Sequence, residues 1–328
     1  MTATEEQQQQ QQQPVPPAQP SLPWRMASAA IMTITSGICR AFLFGLNDVK
    51  IEGQEQFLEV LDKRREGTPE RGLITVSNHI SVLFKTFFGF GQVLPTYRTL
   101  YSPYAGPFQP TVTEAIRILS GPGAVYPLNR VFNAGRNETF SSPAYYRTNH
   151  NAWVHVFPEG CVHQHPERTL RYFKWGVSRL ILESEPAPQI VPIFIDGFSD
   201  IMPEDRKWPR WAPRIGAKIR VIYGEALEVS EAFREQRLRW KRMVQKETEA
   251  LGRPLIAGEV PETLKDHPEA VQLRIEVAKT VRDMVQKLRL RAGYPQDAPS
   301  LELAETWERE PKKKQFKSPV DDSLVHKE

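Results

Sequence analysis

The chain has 328 residues, 40% of them apolar, with 43 Lys and Arg against 39 Asp and Glu, for a net charge of +4. That apolar share suffices for a sizeable core, so one large α/β domain with tails is the natural expectation, and the mildly basic balance fits an anionic partner. Two cysteines, Cys39 and Cys161, exclude a disulfide framework, and no C-x-x-C pair offers a structural zinc site.

Residues 1–22 are rich in Gln and Pro, cannot bury a core and read as a disordered tail. Residues 23–46 differ. Met26–Leu46 is mostly apolar or small, interrupted by Ser, Thr, Gly and Arg40, with Trp24 and Arg25 at one end. A clean membrane span tolerates such interruptions poorly, so this segment reads as a membrane-associated helix lying in the interface. The aromatic residues Phe84, Phe87, Phe88 and Phe90 would assist it.

A central domain over 47–230 alternates strands and helices. Short apolar runs at Leu73–Val76, Trp153–Phe157, Ile190–Ile195 and Lys218–Tyr223 predict strands. Thr111-x-x-Glu114 reads as a capping box opening a helix through Ile116 and Leu119, and Lys174–Ser184 places Val177, Leu180 and Ile181 on one helical face. This alternation predicts an α/β fold with a mainly parallel sheet covered by helices. Residues 231–294 then turn helical, at Ser230–Leu251 and Pro268–Ala292, as a C-terminal extension packing on the domain. Residues 295–328, with Lys312-Lys-Lys314, read as a second disordered tail.

Two of the strand-like runs end in chemistry. Leu73–Val76 leads to Asn78-His79, and Trp153-Val-His-Val-Phe157 leads into Phe157-Pro158-Glu159-Gly160. Acyl transfer to a hydroxyl needs a base, and histidine titrates near working pH. A histidine at a strand end projects where open α/β sheets place their sites. A shared site requires His79 and Glu159 to converge. The basic strip Arg168, Arg171 and Lys174 then becomes a candidate contact for lipid phosphates. Cys161, directly after the glycine, reads as a buried or half-exposed thiol, with a cysteine nucleophile as the competing possibility.

Thr75-Val-Ser-Asn-His79, Gly91–Arg98 and Trp153–Trp175 resemble the tafazzins, within the glycerol-3-phosphate acyltransferase-like superfamily; the resemblance covers roughly residues 24–230. It implies a CoA-independent exchange of acyl chains between phospholipids and lysophospholipids, with cardiolipin, monolysocardiolipin and phosphatidylcholine as partners. It places the protein peripherally or monotopically on mitochondrial membranes, facing the intermembrane space. It implies His79 as the catalytic base and Asn78, Arg98, Phe157, Pro158, Glu159 and Gly160 as substrate-binding residues. No cofactor, metal or nucleic acid is implied.

The superfamily pattern H-x-x-x-x-D is broken, because the fifth residue after His79 is Phe84 and no Asp occurs between residues 80 and 195. Ser81-Val-Leu83 resembles the lead-in to that aspartate, and Phe87–Leu94 resembles a later segment. The pattern therefore predicts a skipped coding stretch and a weakened enzyme. A non-catalytic lipid-binding isoform and a CoA-dependent lysophospholipid acyltransferase are the competing readings.

Overall fold

The computed structural model describes residues 21–79, 94, 96, 105–122, 130–133, 139–142, 150–255 and 257–327. Helix α1 (Leu22–Leu46) leads into strand β1 (Asp48–Glu52) and helix α2 (Gln54–Glu66). There follow β2 (Leu73–Ser77), α3 (Pro110–Leu119), the antiparallel pair β3 (Arg130–Asn133) and β4 (Thr139–Ser142), β5 (Trp153–Val156), β6 (Val162–Gln164) and α4 (Gly176–Glu183). Next come β7 (Gln189–Asp196), β8 (Lys218–Tyr223), the two-residue β9 (Leu227–Glu228), α5 (Arg234–Leu251) and α6 (Pro268–Arg291). Strands β10 (Gln315–Lys317) and β11 (Leu324–His326) close the chain.

Among the described residues, six strands form the main sheet in the order β1-β8-β7-β2-β5, with β9 pairing off β7. The sheet is mixed but mainly parallel: β1 with β8, β7 with β2 and β2 with β5 run parallel, while β8 and β9 run against β7. All five residues of β2 are buried, as a central strand covered on both faces requires. Its alternation divides the core. Ile74 and Val76 face a large cluster with Ile116 of α3, Leu180 and Ile181 of α4, and Val277 and Val281 of α6. Leu73 faces a smaller cluster with Phe57 of α2, Val191 and Ile193.

The register fixes which ends coincide. Ser77 lies opposite Ile193, Asp196 opposite Arg220, and Asp48 opposite Lys218. The carboxyl ends of β2 and β7 therefore meet the starting ends of β1 and β8. That single edge receives the end of α1, the connection into β8, and Asn78 and His79 after β2.

Two sequence expectations are corrected. The Thr111–Glu114 capping box does not form: α3 starts earlier, with Pro110 in its first turn, so Thr111 lies within the helix and Glu114 pairs with Arg117. Proline is well suited to a first helical turn because its missing N–H would find no partner there. Residues 295–328 are not a structureless tail either. Over 295–327 they form a 3-10 turn at Pro299–Glu302, a helical turn at Ala304–Trp307, and β10 and β11, and β11 pairs antiparallel with β6. Trp307 and Val325 are buried there, and Glu310 and Asp297 are buried against arginines, which offsets the high charge of the segment.

Candidate functional site

The site begins where β2 ends. The Asn78 amide Nδ2 donates to the Ile195 carbonyl at 2.8 Å, and its Oδ1 accepts the Ile195 N–H at 2.9 Å. Both ends of this buried amide thus serve to extend the join between β2 and β7. His79 follows, half-buried, with its carbonyl accepting the His163 N–H at 3.0 Å.

Glu159 converges on the same point. One carboxylate oxygen accepts the His79 N–H at 2.9 Å and the other accepts the Arg171 N–H at 3.2 Å. The residue is 1% exposed, and burial pushes its carboxyl above the ordinary range, against the opposing pull of His163, the two amides and Arg171. Glu159 therefore clamps the backbone after β2 to the loop after β6. In Glu159→Gln the amide NH2 would face one of these backbone donors. We expect a loss of about 1–3 kcal/mol in a denaturant titration, the range for an unsatisfied buried donor, together with reduced activity. A variant as stable and as active as the parent would remove Glu159 from this role.

Phe157 supplies the floor. Its ring stacks on the His79 imidazole at 4.6 Å and 28°, and meets the His155 ring edge-on at 4.6 Å and 80°. Beneath it the Trp153 indole N–H donates to Thr75 Oγ1 at 2.9 Å. The Thr75 hydroxyl lies 2.7 Å from His155 Nδ1, and Ser77 Oγ lies 3.1 Å from Nε2. The two hydroxyls thus bracket the His155 ring, one at each nitrogen. Side chains two apart on a strand share a face, which is why Trp153, His155 and Phe157 line up beside Thr75, Ser77 and His79.

The Phe157–Gly160 turn is closed by the Gly160 N–H donating to the Phe157 carbonyl at 3.1 Å, and the Pro158 carbonyl accepts the Lys174 N–H at 2.9 Å. Gly160 has φ of 68°, and a Cβ there would come within 2.7 Å of Lys174 Nζ. Gly160→Ala is expected to destabilise the fold by about 1 kcal/mol, from the left-handed backbone alone, with the flexible lysine end moving aside. A thermal melt unchanged from the parent would refute this.

The loop after β6 is held from behind by α6. Arg282 donates to the carbonyls of Arg171 at 3.0 Å and Leu170 at 2.8 Å, and Arg289 to those of Arg168 at 2.7 Å and Glu167 at 2.6 Å. This corrects the expectation of a basic strip against lipid phosphates. The Arg171 guanidinium is buried in a bidentate pair with Glu310 at 2.7 and 2.6 Å. Arg168 pairs with Asp196 at 2.7 Å and Asp200 at 3.2 Å. Lys174 alone of the three is exposed. Cys161 is buried and burial pushes its thiol up, which removes the thiolate a cysteine nucleophile needs. Arg98 and the phenylalanines at 84, 87, 88 and 90 lie outside the described residues. No group of three or more His, Cys, Asp or Glu side chains among the described residues could hold a metal ion.

His163 was not singled out from the sequence. Its ring meets Thr169 at 3.1 Å, Ser323 at 3.1 Å and Asp321 at 3.3 Å, joining the segment after the turn to the C-terminal strands. Its place directly beyond a turn of four motif residues was the available signal.

Residues 48–196, from β1 through β7 with both His79 and Glu159, match the acyltransferase family model. This stretch is therefore an acyltransferase domain. Among curated proteins it is 29% identical to the tafazzin of Saccharomyces cerevisiae over 332 residues, covering 87% of this chain and 84% of that one. It is 28% identical to the tafazzin of Drosophila melanogaster, covering 80% of this chain and 65% of the other. An N-acylphosphatidylethanolamine synthase of Arabidopsis thaliana is 27% identical, over 62% of this chain and 69% of that protein. Among solved structures, the lysophosphatidate acyltransferase PlsC of Thermotoga maritima aligns at a TM-score of 0.33 with 19% identity, over 70% of this chain and 81% of that one. Over most of its length the chain is tafazzin-like, around that acyltransferase domain.

Proposed function

We propose that the protein moves acyl chains between phospholipids and lysophospholipids without CoA, remodelling cardiolipin on mitochondrial membranes from the intermembrane-space side. The observation that carries this reading is the convergence of His79 and Glu159 across 80 positions of sequence at the carboxyl edge of the sheet. In it, His79 takes the proton from the hydroxyl of a lysophospholipid as that oxygen attacks the ester carbonyl of the donor, then returns it to the donor's glycerol oxygen as the old ester bond breaks and a new lysophospholipid leaves. Glu159 acts as a positioning residue through the backbone, and Phe157 orients the imidazole by stacking. Phe157, Pro158 and Gly160 shape the turn against which the glycerophosphate lies, with Arg98 as the phosphate clamp and Asn78 holding the strand end.

Membrane attachment is peripheral or monotopic in this reading. Helix α1 has 25 residues, is long and apolar enough to cross a membrane, and exposes Leu22, Met26, Ile34, Ile38, Phe44 and Leu46. Arg40 sits 5.1 Å over the Phe44 ring, masking part of its charge.

The test is acyl exchange between labelled phosphatidylcholine and monolysocardiolipin, with and without acyl-CoA. We expect slow transfer in the absence of CoA. Transfer that requires acyl-CoA would reassign the donor, and lipid binding without any transfer would establish the non-catalytic alternative, which Phe84 favours.

A further inference from the structure

The connection from β7 into β8 carries Arg206-Lys-Trp-Pro-Arg-Trp-Ala-Pro-Arg-Ile215. Trp208 is 87% exposed, Trp211 71% and Ile215 67%. Four cations stand among them, and no Asp or Glu occurs from 206 to 224. The loop is built rather than loose. The Arg206 guanidinium donates to the carbonyls of Arg210 at 2.6 Å and Pro203 at 2.7 Å. Arg210 donates to those of Arg206 at 3.0 Å and Glu204 at 3.1 Å. These are backbone acceptors, so the loop is braced while its positive charge stays uncancelled.

Both ends of the loop are tied to elements already described. Gln164 of β6 bonds the Met202 carbonyl at 3.0 Å and the Glu204 N–H at 2.9 Å. At the far end the Gly216 N–H donates to the Leu46 carbonyl of α1 at 2.8 Å. The pairing register sets this loop, the end of α1 and His79 at one edge of the sheet.

We propose that loop 206–215 is a second membrane contact, docking on anionic phospholipid surfaces. Tryptophan prefers the headgroup level, where an apolar ring body and a polar N–H are both satisfied, and interleaved Arg and Lys meet lipid phosphates. Anionic lipid is the occupant that the charge selects. Together with α1, the loop would set the catalytic edge against the bilayer, so substrate reaches His79 from the membrane plane. The proposal concerns vesicle binding and stands apart from the identity of the acyl donor.

The experiment uses the full chain with vesicles of phosphatidylcholine alone or mixed equally with phosphatidylglycerol, measured by co-flotation. A variant carrying Arg206→Gln, Lys207→Gln, Arg210→Gln and Arg214→Gln is expected to lose about 600-fold in partitioning to the mixed vesicles, each basic residue contributing about fivefold at such a surface. It should bind phosphatidylcholine vesicles like the parent. A Trp208→Ser, Trp211→Ser variant is expected to weaken on both. Binding of the unaltered chain to mixed vesicles should fall steeply with added salt. Salt-independent binding, or vesicle binding indifferent to both sets of substitutions, overturns the proposal and leaves a macromolecular partner for this surface.

Discussion

Restoring an aspartate-bearing segment between Leu83 and Phe84 is expected to raise acyl exchange by about 10²–10⁴-fold, the range general acid–base catalysis supplies. A base histidine gains a positive charge as it takes the proton. A carboxylate on its far nitrogen fixes the tautomer and shares that charge, and in serine proteases its loss costs about 10⁴-fold. Phe84 offers neither hydrogen bond nor charge. The stacked Phe157 ring orients the His79 imidazole but cannot neutralise the cation. Glu159 cannot stand in while both of its oxygens serve backbone amides. The measurement is label transfer from phosphatidylcholine to a lysophospholipid by the parent chain, the restored chain and the restored chain with His79→Ala. We expect the last to fall to background. Equal rates in parent and restored chains would mean the site works without the aspartate, and a fully active His79→Ala variant would remove the histidine from catalysis.

Arg171→Ala should cost about 3–5 kcal/mol, as removal of one partner from a buried ion pair does. The Glu310 side chain would stay sealed, with 0% exposure, after losing both guanidinium bonds. Burial alone would raise the Glu310 carboxyl, but the hydrogen bond and charge of Arg171, helped by Ser318, hold it below its ordinary 4.5. Asp321 is likewise held down, its burial outweighed by His163 and Ser323. A carboxyl with a depressed folded-state value contributes stability above its unfolded value and loses it as pH falls through the folded one. The C-terminal strands of the parent are therefore expected to loosen on acidification below about pH 4, whereas Arg171→Ala should already be loose at neutral pH. Hydrogen exchange over β6, β10 and β11 reads this directly. Replacing both partners by Met should recover much of the loss, because no buried charge is then left unpaired and the Lys327 ammonium, 3.3 Å from Glu310 in the parent, is partly exposed to water. Identical protection in Arg171→Ala and parent would show that the pair carries no such role.

The sheet was largely legible. Strands expected at Leu73–Val76, Trp153–Phe157, Ile190–Ile195 and Lys218–Tyr223 fall at Leu73–Ser77, Trp153–Val156, Gln189–Asp196 and Lys218–Tyr223, because buried strands are short continuous apolar runs. The helices at Gly176–Glu183 and Pro268–Arg291 announced themselves by apolar spacing, whereas that at Pro110–Leu119 was placed by a capping box that does not form. The meeting of His79 with Glu159 was legible too, since both end strands of one sheet. What hid was charge turned inward. Arg274, Arg282 and Arg289 belong to a helix expected only to pack on the domain, yet each is at most 1% exposed and each bonds backbone carbonyls. Arg171 read as a lipid contact from the density of basic residues beside the site. The C-terminal strands are three residues each and carry no period, so only their long-range partners reveal them.

The pairing of β11 with β6 sets Val325 opposite His163, across 162 positions (325 − 163). Synthesis runs from the amino end, so β6 and the glutamate beside it emerge well before the partner they need. Until then the Arg171–Glu310 pair cannot form. The corner that holds His79 and Glu159 is thus unfinished while the main sheet is already available to fold. Synthesis order alone delays this bracing until β11 has emerged, and a frameshift or stop codon between the acyltransferase domain and β11 would strip the candidate site of its support from behind.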